Sequence, residues 1–66
     1  MLFSFTMEFE DREELEECKR LLLNRYSFTG EMSVWRDNDK WKMTAHSEKR
    51  FRDSTFEKLP GDRQDD

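Results

Sequence analysis

The sequence predicts an α+β fold in which a strand, a helix, two strands and a second helix follow in order, and three observations carry the prediction. Residues 1 to 10 alternate apolar and polar with the period of a strand, residues 11 to 26 repeat apolar side chains with the period of a helix, and residues 31 to 46 form two alternating runs around a two-residue turn.

In the first run, MLFSFTMEFE, the residues Phe3, Phe5, Met7 and Phe9 point to one side and form a core face, while Leu2, Ser4, Thr6, Glu8 and Glu10 point to the other. The helix, Asp11 to Tyr26, places Leu15, Cys18, Leu22 and Tyr26 on one stripe, which Leu21 and Leu23 widen. Asp11 with Glu14 three residues on is a capping-box pattern. Glutamates crowd the first turns and Lys19, Arg20 and Arg25 follow, the charge order that the helix dipole favours, and Glu16 with Arg20 adds a favourable i, i+4 pair. Ser27 to Gly30 is a short loop in which Phe28 returns to the core and Gly30 supplies a positive φ.

Glu31 to Asp37 and Lys40 to His46 then form a hairpin around Asn38 and Asp39, residue types that tolerate the backbone of a tight turn. Its register pairs Asp37 with Lys40, Arg36 with Trp41, Trp35 with Lys42, Val34 with Met43, Ser33 with Thr44 and Met32 with Ala45. One face thereby receives Met32, Val34, Trp41, Met43 and Ala45, so Val34 is expected opposite Met43 and buried. Residues 47 to 59 carry Phe51, Thr55, Phe56 and Leu59 at helical spacing and predict one helix, irregular at Asp53 and Ser54 and stopped by Pro60 and Gly61, the alternative being a shorter helix that starts at Ser54 with Glu57. Residues 1 to 61 make a single domain, and residues 62 to 66 are expected to be a disordered charged tail.

A right-handed crossover through the long helix sets the second strand parallel to the first, with the hairpin return between them. The expected architecture is thus a three-stranded antiparallel sheet of order 1-3-2 with helices on one face. In topology it resembles the ferredoxin-like fold lacking its last strand, an arrangement that hosts many unrelated functions.

Composition narrows the function. A chain of 66 residues with 33 % hydrophobic and 42 % charged residues has a thin core, which makes oligomerisation a natural source of added stability. Its single cysteine forms no internal disulfide and lies on the apolar stripe of the helix, as in a reducing compartment, so a cytoplasmic location is expected. No stretch has the length and apolar content of a membrane span or the basic start of a signal peptide. The formal net charge of −4 is uneven, with −6 over residues 1 to 17, +4 over 18 to 50 and −2 over 51 to 66. One histidine, one cysteine and two glycines offer no catalytic dyad, no phosphate loop and no ligand spacing for a metal. The reading is a non-enzyme without a cofactor.

Three surfaces remain. Trp35, Lys42, Thr44 and His46, with Lys40, share the outer sheet face, an aromatic among bases of the kind that stacks single-stranded RNA, although two or three aromatics are usual there and Glu8 lies on the same face. Glu10, Glu13, Glu14 and Glu17 share one side of the helix start and could dock a basic partner. Ser4, Phe5 and Thr6 lie on an uncharged edge strand that nothing after Leu59 is expected to cover, so a second copy would pair there about a two-fold axis. The rival is that residues 47 to 58 fold back along that edge and leave a monomer. The favoured function is a small cytosolic protein-interaction module acting as a homodimer, a regulator or adaptor with an unidentified protein partner and no membrane role. RNA binding and acidic-patch docking are the alternatives.

Overall fold

The computed structural model describes residues 2–64, in the order β1 (Phe3–Phe9), α1 (Arg12–Asn24), β2 (Gly30–Asp37), β3 (Lys40–Ser47), α2 (Asp53–Glu57) and β4 (Asp62–Gln64). The class is α+β with one antiparallel sheet, but the sheet has four strands in the order β2-β3-β1-β4 in place of three in the order 1-3-2. The expected triplet survives inside it, and the added strand completes the β-α-β-β-α-β succession of the ferredoxin-like unit. Met1, expected at the start of the first strand, lies outside the described residues.

β1 forms as its alternation requires. Phe5, Met7 and Phe9 are buried, and β3 pairs along its whole length, from Phe3 with Ser47 to Phe9 with Trp41. The carboxylate of Asp11 accepts the amide of Glu14 at 2.9 Å and caps α1. Leu15, Cys18 and Leu22 are buried against β1 and β3, and the Cys18 thiol donates to the Met7 sulfur at 3.8 Å. Leu21 packs at the margin, whereas Leu23 faces solvent. Arg20 pairs with Glu17, and Glu16 pairs with Arg12 at 3.7 Å, so the expected Glu16–Arg20 pair is replaced by two others. Beyond the helix, Ser27 takes a φ of 53° and the Phe28 amide returns to the Leu22 carbonyl at 2.8 Å, so a serine makes the first reversal before Gly30 makes its own.

The hairpin has the expected register at every pair from Met32 opposite Ala45 to Asp37 opposite Lys40, with Asn38 at a φ of 58° in the turn. Met43 and Ala45 are fully buried, but Val34, opposite Met43 as expected, is 39 % exposed. The helix layer covers β1 and β3 and stops short of β2, so correct pairing does not bury the outer strand.

Residues 47 to 52 are not helical. Ser47 ends β3, fully buried, and its hydroxyl donates to the Lys49 carbonyl at 2.5 Å and accepts the Lys49 amide at 2.9 Å. Such side-chain bonds to nearby backbone compete with a helix ladder and hold the chain in a turn. Phe51 reaches the core from this turn, and α2 is left with one turn of helix over Asp53–Glu57. Phe56 stands edge-on to Phe5 at 4.9 Å between ring centres, and Phe51 lies parallel to Phe28 at 6.3 Å, so aromatic contacts take the place of a longer helix.

The turn at Pro60 and Gly61 leads to β4. Gly61 has a φ of 93°, and its α-carbon faces the Phe9 ring so closely that a β-carbon would collide with it. Asp62–Gln64, expected in a disordered tail, pairs with β1 as Thr6 opposite Gln64, Met7 opposite Arg63 and Glu8 opposite Asp62. The single inward residue is Arg63, whose guanidinium lies 4.3 Å from the Phe56 ring centre and binds the Asp53 carboxylate at 3.1 Å. Asp65 and Asp66, the rest of the expected tail, lie outside the described residues. β4 overturns the expectation that nothing after Leu59 covers the first strand, since it pairs with Thr6 of the expected edge, although not with Ser4 or Phe5, and the strand that does so is residues 62–64 rather than 47 to 58.

Burial separates the two members of the central hairpin pair. Met43→Ala should lower stability by about 2–5 kcal/mol through lost transfer energy and a residual cavity, whereas Val34→Ala should change it by no more than about 0.5 kcal/mol. Urea denaturation midpoints of the two variants check this, and equal losses would place Val34 in the core after all.

Candidate functional site

The sheet face turned away from the helices is open. Strand alternation places Ser4, Thr6 and Glu8 of β1, Lys40, Lys42, Thr44 and His46 of β3, Glu31, Ser33, Trp35 and Asp37 of β2, and Asp62 and Gln64 of β4 on it. All five outer-face residues expected from the sequence, Trp35, Lys40, Lys42, Thr44 and His46, are therefore brought to one surface.

Most of their polar groups are already engaged. The Ser4 hydroxyl is hydrogen-bonded to His46 Nδ1 at 2.8 Å, and the Thr6 and Thr44 hydroxyls share a bond of 3.1 Å. Lys42 lies 3.2 Å from Asp37 and 3.8 Å from Glu8, and Lys40 lies 2.5 Å from Glu10. The hydrogen bond that Lys40 donates to Glu10 raises the pKa of Lys40 and keeps it cationic. The surface is thus a ladder of internal pairs in which acids outnumber bases, and Trp35 is its one aromatic, 41 % exposed.

The acidic set is dispersed by the same local pairing. Glu10 is held by Lys40, Glu17 by Arg20, and the backbone of Glu14 by the Asp11 cap, while Glu13 lies on a shallow helix surface shared with Arg12 and Arg20. Of the four, Glu13 and Glu17 share that surface with Glu16 and the two guanidinium groups, whereas Glu14 lies near Cys18 and Glu10 is drawn to Lys40. Of the expected first-strand edge, Thr6 is paired on both sides, by Thr44 and by Gln64.

A surface that sequence reasoning missed lies at β2. Among the described residues this strand has β3 as its only neighbour, and seven of its eight residues are exposed, Met32 alone being half-buried. On its helix side, Met32, Val34 and Arg36 extend past the helix layer, with the Arg36 guanidinium 5.7 Å from the Trp41 ring centre. The available signal was Arg36, a charge at the third inward position of a strand otherwise read as core-facing. At the start of the strand, on the open side, Leu2, Gly30, Glu31, His46 and Glu48 line a groove of about 470 Å³, in which Leu2 is 58 % exposed.

Cys18 offers no chemistry in this arrangement. Burial, aided by the nearby Glu14 carboxylate, pushes its pKa up to about 12, so the thiol stays neutral and unreactive. Among the described residues no three His, Cys, Asp or Glu side chains are placed to hold a metal ion, and no helix is long and apolar enough to cross a membrane. The chain matches no protein-family model, no curated protein and no solved structure.

The raised thiol pKa has a signed consequence. Between the ordinary value of 9.0 and about 12 the folded state holds a proton that the unfolded state releases, so this contribution is complete below pH 9 and is lost as pH rises. Stability measured by urea titration across that range should fall more steeply in the native chain than in Cys18→Ala. Parallel curves would show that the thiol is not desolvated.

Proposed function

We propose that the protein is a small, non-enzymatic protein-interaction module, a regulator or adaptor, that works by receiving a β-strand along the free edge of β2. The observation that carries this reading is an eight-residue strand that has one neighbour among the described residues and seven of its eight residues exposed. An edge of that length is a ready template for strand addition, in which backbone bonds supply affinity and alternate side chains supply selectivity. The homodimer expected from the sequence belongs to the same reading, with its seam moved from β1 to β2. A lone buried cysteine suits a reducing compartment, and the cytoplasm is the location this reading assigns.

The charge pattern weighs against single-stranded RNA on the outer face. Phosphate binding there would have to displace Asp37 and Glu8 from Lys42 and Glu10 from Lys40, on a surface that is already acidic. Docking of a basic partner on α1 meets a similar obstacle, because Arg12 and Arg20 stand among the glutamates.

The strand reading is tested at Val34. Its amide points away from β3 in a two-residue hairpin of this register, so Val34→Pro removes an outward donor and leaves the β2–β3 ladder intact. A tagged chain should retain a protein from native lysate that Val34→Pro, shown to be folded by circular dichroism, does not retain. Equal retention by both chains refutes edge binding. Short single-stranded RNA at low salt should leave tryptophan fluorescence unchanged, whereas quenching abolished by Trp35→Ala would restore the RNA reading.

A further inference from the structure

We propose that the strand received by β2 is β2 of a second copy, paired antiparallel about a two-fold axis at Ser33, with each Trp35 laid against the other copy's groove. The inference rests on β2 as the docking edge and names its occupant.

Hydrogen-bond phase limits the ways two such edges can meet. Asp37 and Lys40 flank the two-residue turn and bond to each other, so the odd residues of β2 turn their backbone groups toward β3. Met32, Val34 and Arg36 turn theirs outward. Two β2 edges that join into one continuous sheet, with both helix layers on the same side, must set even residues opposite even residues. Three central registers satisfy this, with the axis at Ser33, Val34 or Trp35.

Side chains separate the three. An axis at Val34 opposes Glu31 to Asp37 at both ends, a like-charge contact made twice. An axis at Trp35 opposes Val34 to Arg36 and carries Met32 past the strand onto Asn38 in the turn. An axis at Ser33 opposes Met32 to Val34 twice, which covers the exposed Val34 and the open side of the half-buried Met32, and sets no like charges face to face. It also opposes Arg36 to Gly30, where no side chain obstructs a guanidinium stacked on Trp41.

The groove gives an independent reason for the same register. Glu31, part of its lining, then faces the partner's Trp35 in a non-hydrogen-bonded pair, the kind with the shorter ~4.5 Å α-carbon separation and the closest side chains. An indole exposed on one copy meets an exposed Leu2 on the other, and its N–H approaches the carboxylates of Glu31 and Glu48. The two-fold makes each contact twice.

The register is tested by thiol cross-linking, because Cys18 is buried and does not compete. Two Ser33→Cys chains bring non-hydrogen-bonded α-carbons to ~4.5 Å, inside the disulfide range, so mild oxidation should link them at least about tenfold faster than Val34→Cys or Trp35→Cys chains. Sedimentation of the native chain across micromolar to millimolar concentration should show a dimer that Val34→Pro abolishes. Equal linking rates, fastest linking at another position, or a native chain that remains monomeric throughout overturns the proposal. A monomer whose lysate partner is still lost in Val34→Pro removes the second copy and leaves the docking edge standing, whereas a dimer that persists in Val34→Pro removes both.

Discussion

An α-helix with its side chains is about 10–12 Å across and neighbouring strands are about 4.8 Å apart, so one helix can roof little more than two strands. The described residues form one helix of thirteen residues and one of five, over a sheet of four strands. The long helix takes β1 and β3, which burdens the two flanks differently. On the α2 side, Phe51, Phe56 and Leu59 fold over the sheet and complete the core, while on the β2 side no described segment does so. The exposed strand follows from the width of the helix layer as much as from its own sequence.

That asymmetry shapes the electrostatics of the open face. With helices only on the other side, outer-face residues meet water, and pairs such as Lys42 with Asp37 and Glu8 contribute little to stability, about 0–1 kcal/mol each. Their importance is selective. By occupying the lysines they leave a surface poor in free positive charge, on which backbone edges and isolated apolar side chains become the distinguishing features.

The parts of the fold that were legible in the sequence are those set by period and by nearest neighbours. Alternation and the Asp37–Lys40 pairing gave the hairpin register, and Asp11 with Glu14 gave the helix start. The burial of Val34 was not legible because it depends on how far the helix layer reaches. The turn at Ser47 was hidden because the hydroxyl's two bonds to Lys49 leave no mark in hydrophobic spacing. β4 was hidden because a three-residue strand has one inward side chain, and here that side chain is Arg63, which covers Phe56 with its guanidinium where an apolar residue would be sought. At the candidate site, Trp35, Lys42, Thr44 and His46 were legible as one face. The groove was not, because it joins Leu2, Glu31 and Glu48 from the ends of three chain segments.

The shortness of β4 has a kinetic side. Three residues pinned by an arginine can detach from β1 at a fraction of the free energy of global unfolding, so a state with the rest of the fold intact is far more populated than the unfolded chain. In that state Thr6 and Met7 lose the strand that pairs with them, and the uncharged run that they end, Leu2 to Met7, presents an edge of the kind that seeds cross-β stacking. The species that limits shelf life is then near-native, and its population is set by the fraying of one terminal strand, so a rise in melting temperature gained elsewhere in the molecule would leave it almost unchanged.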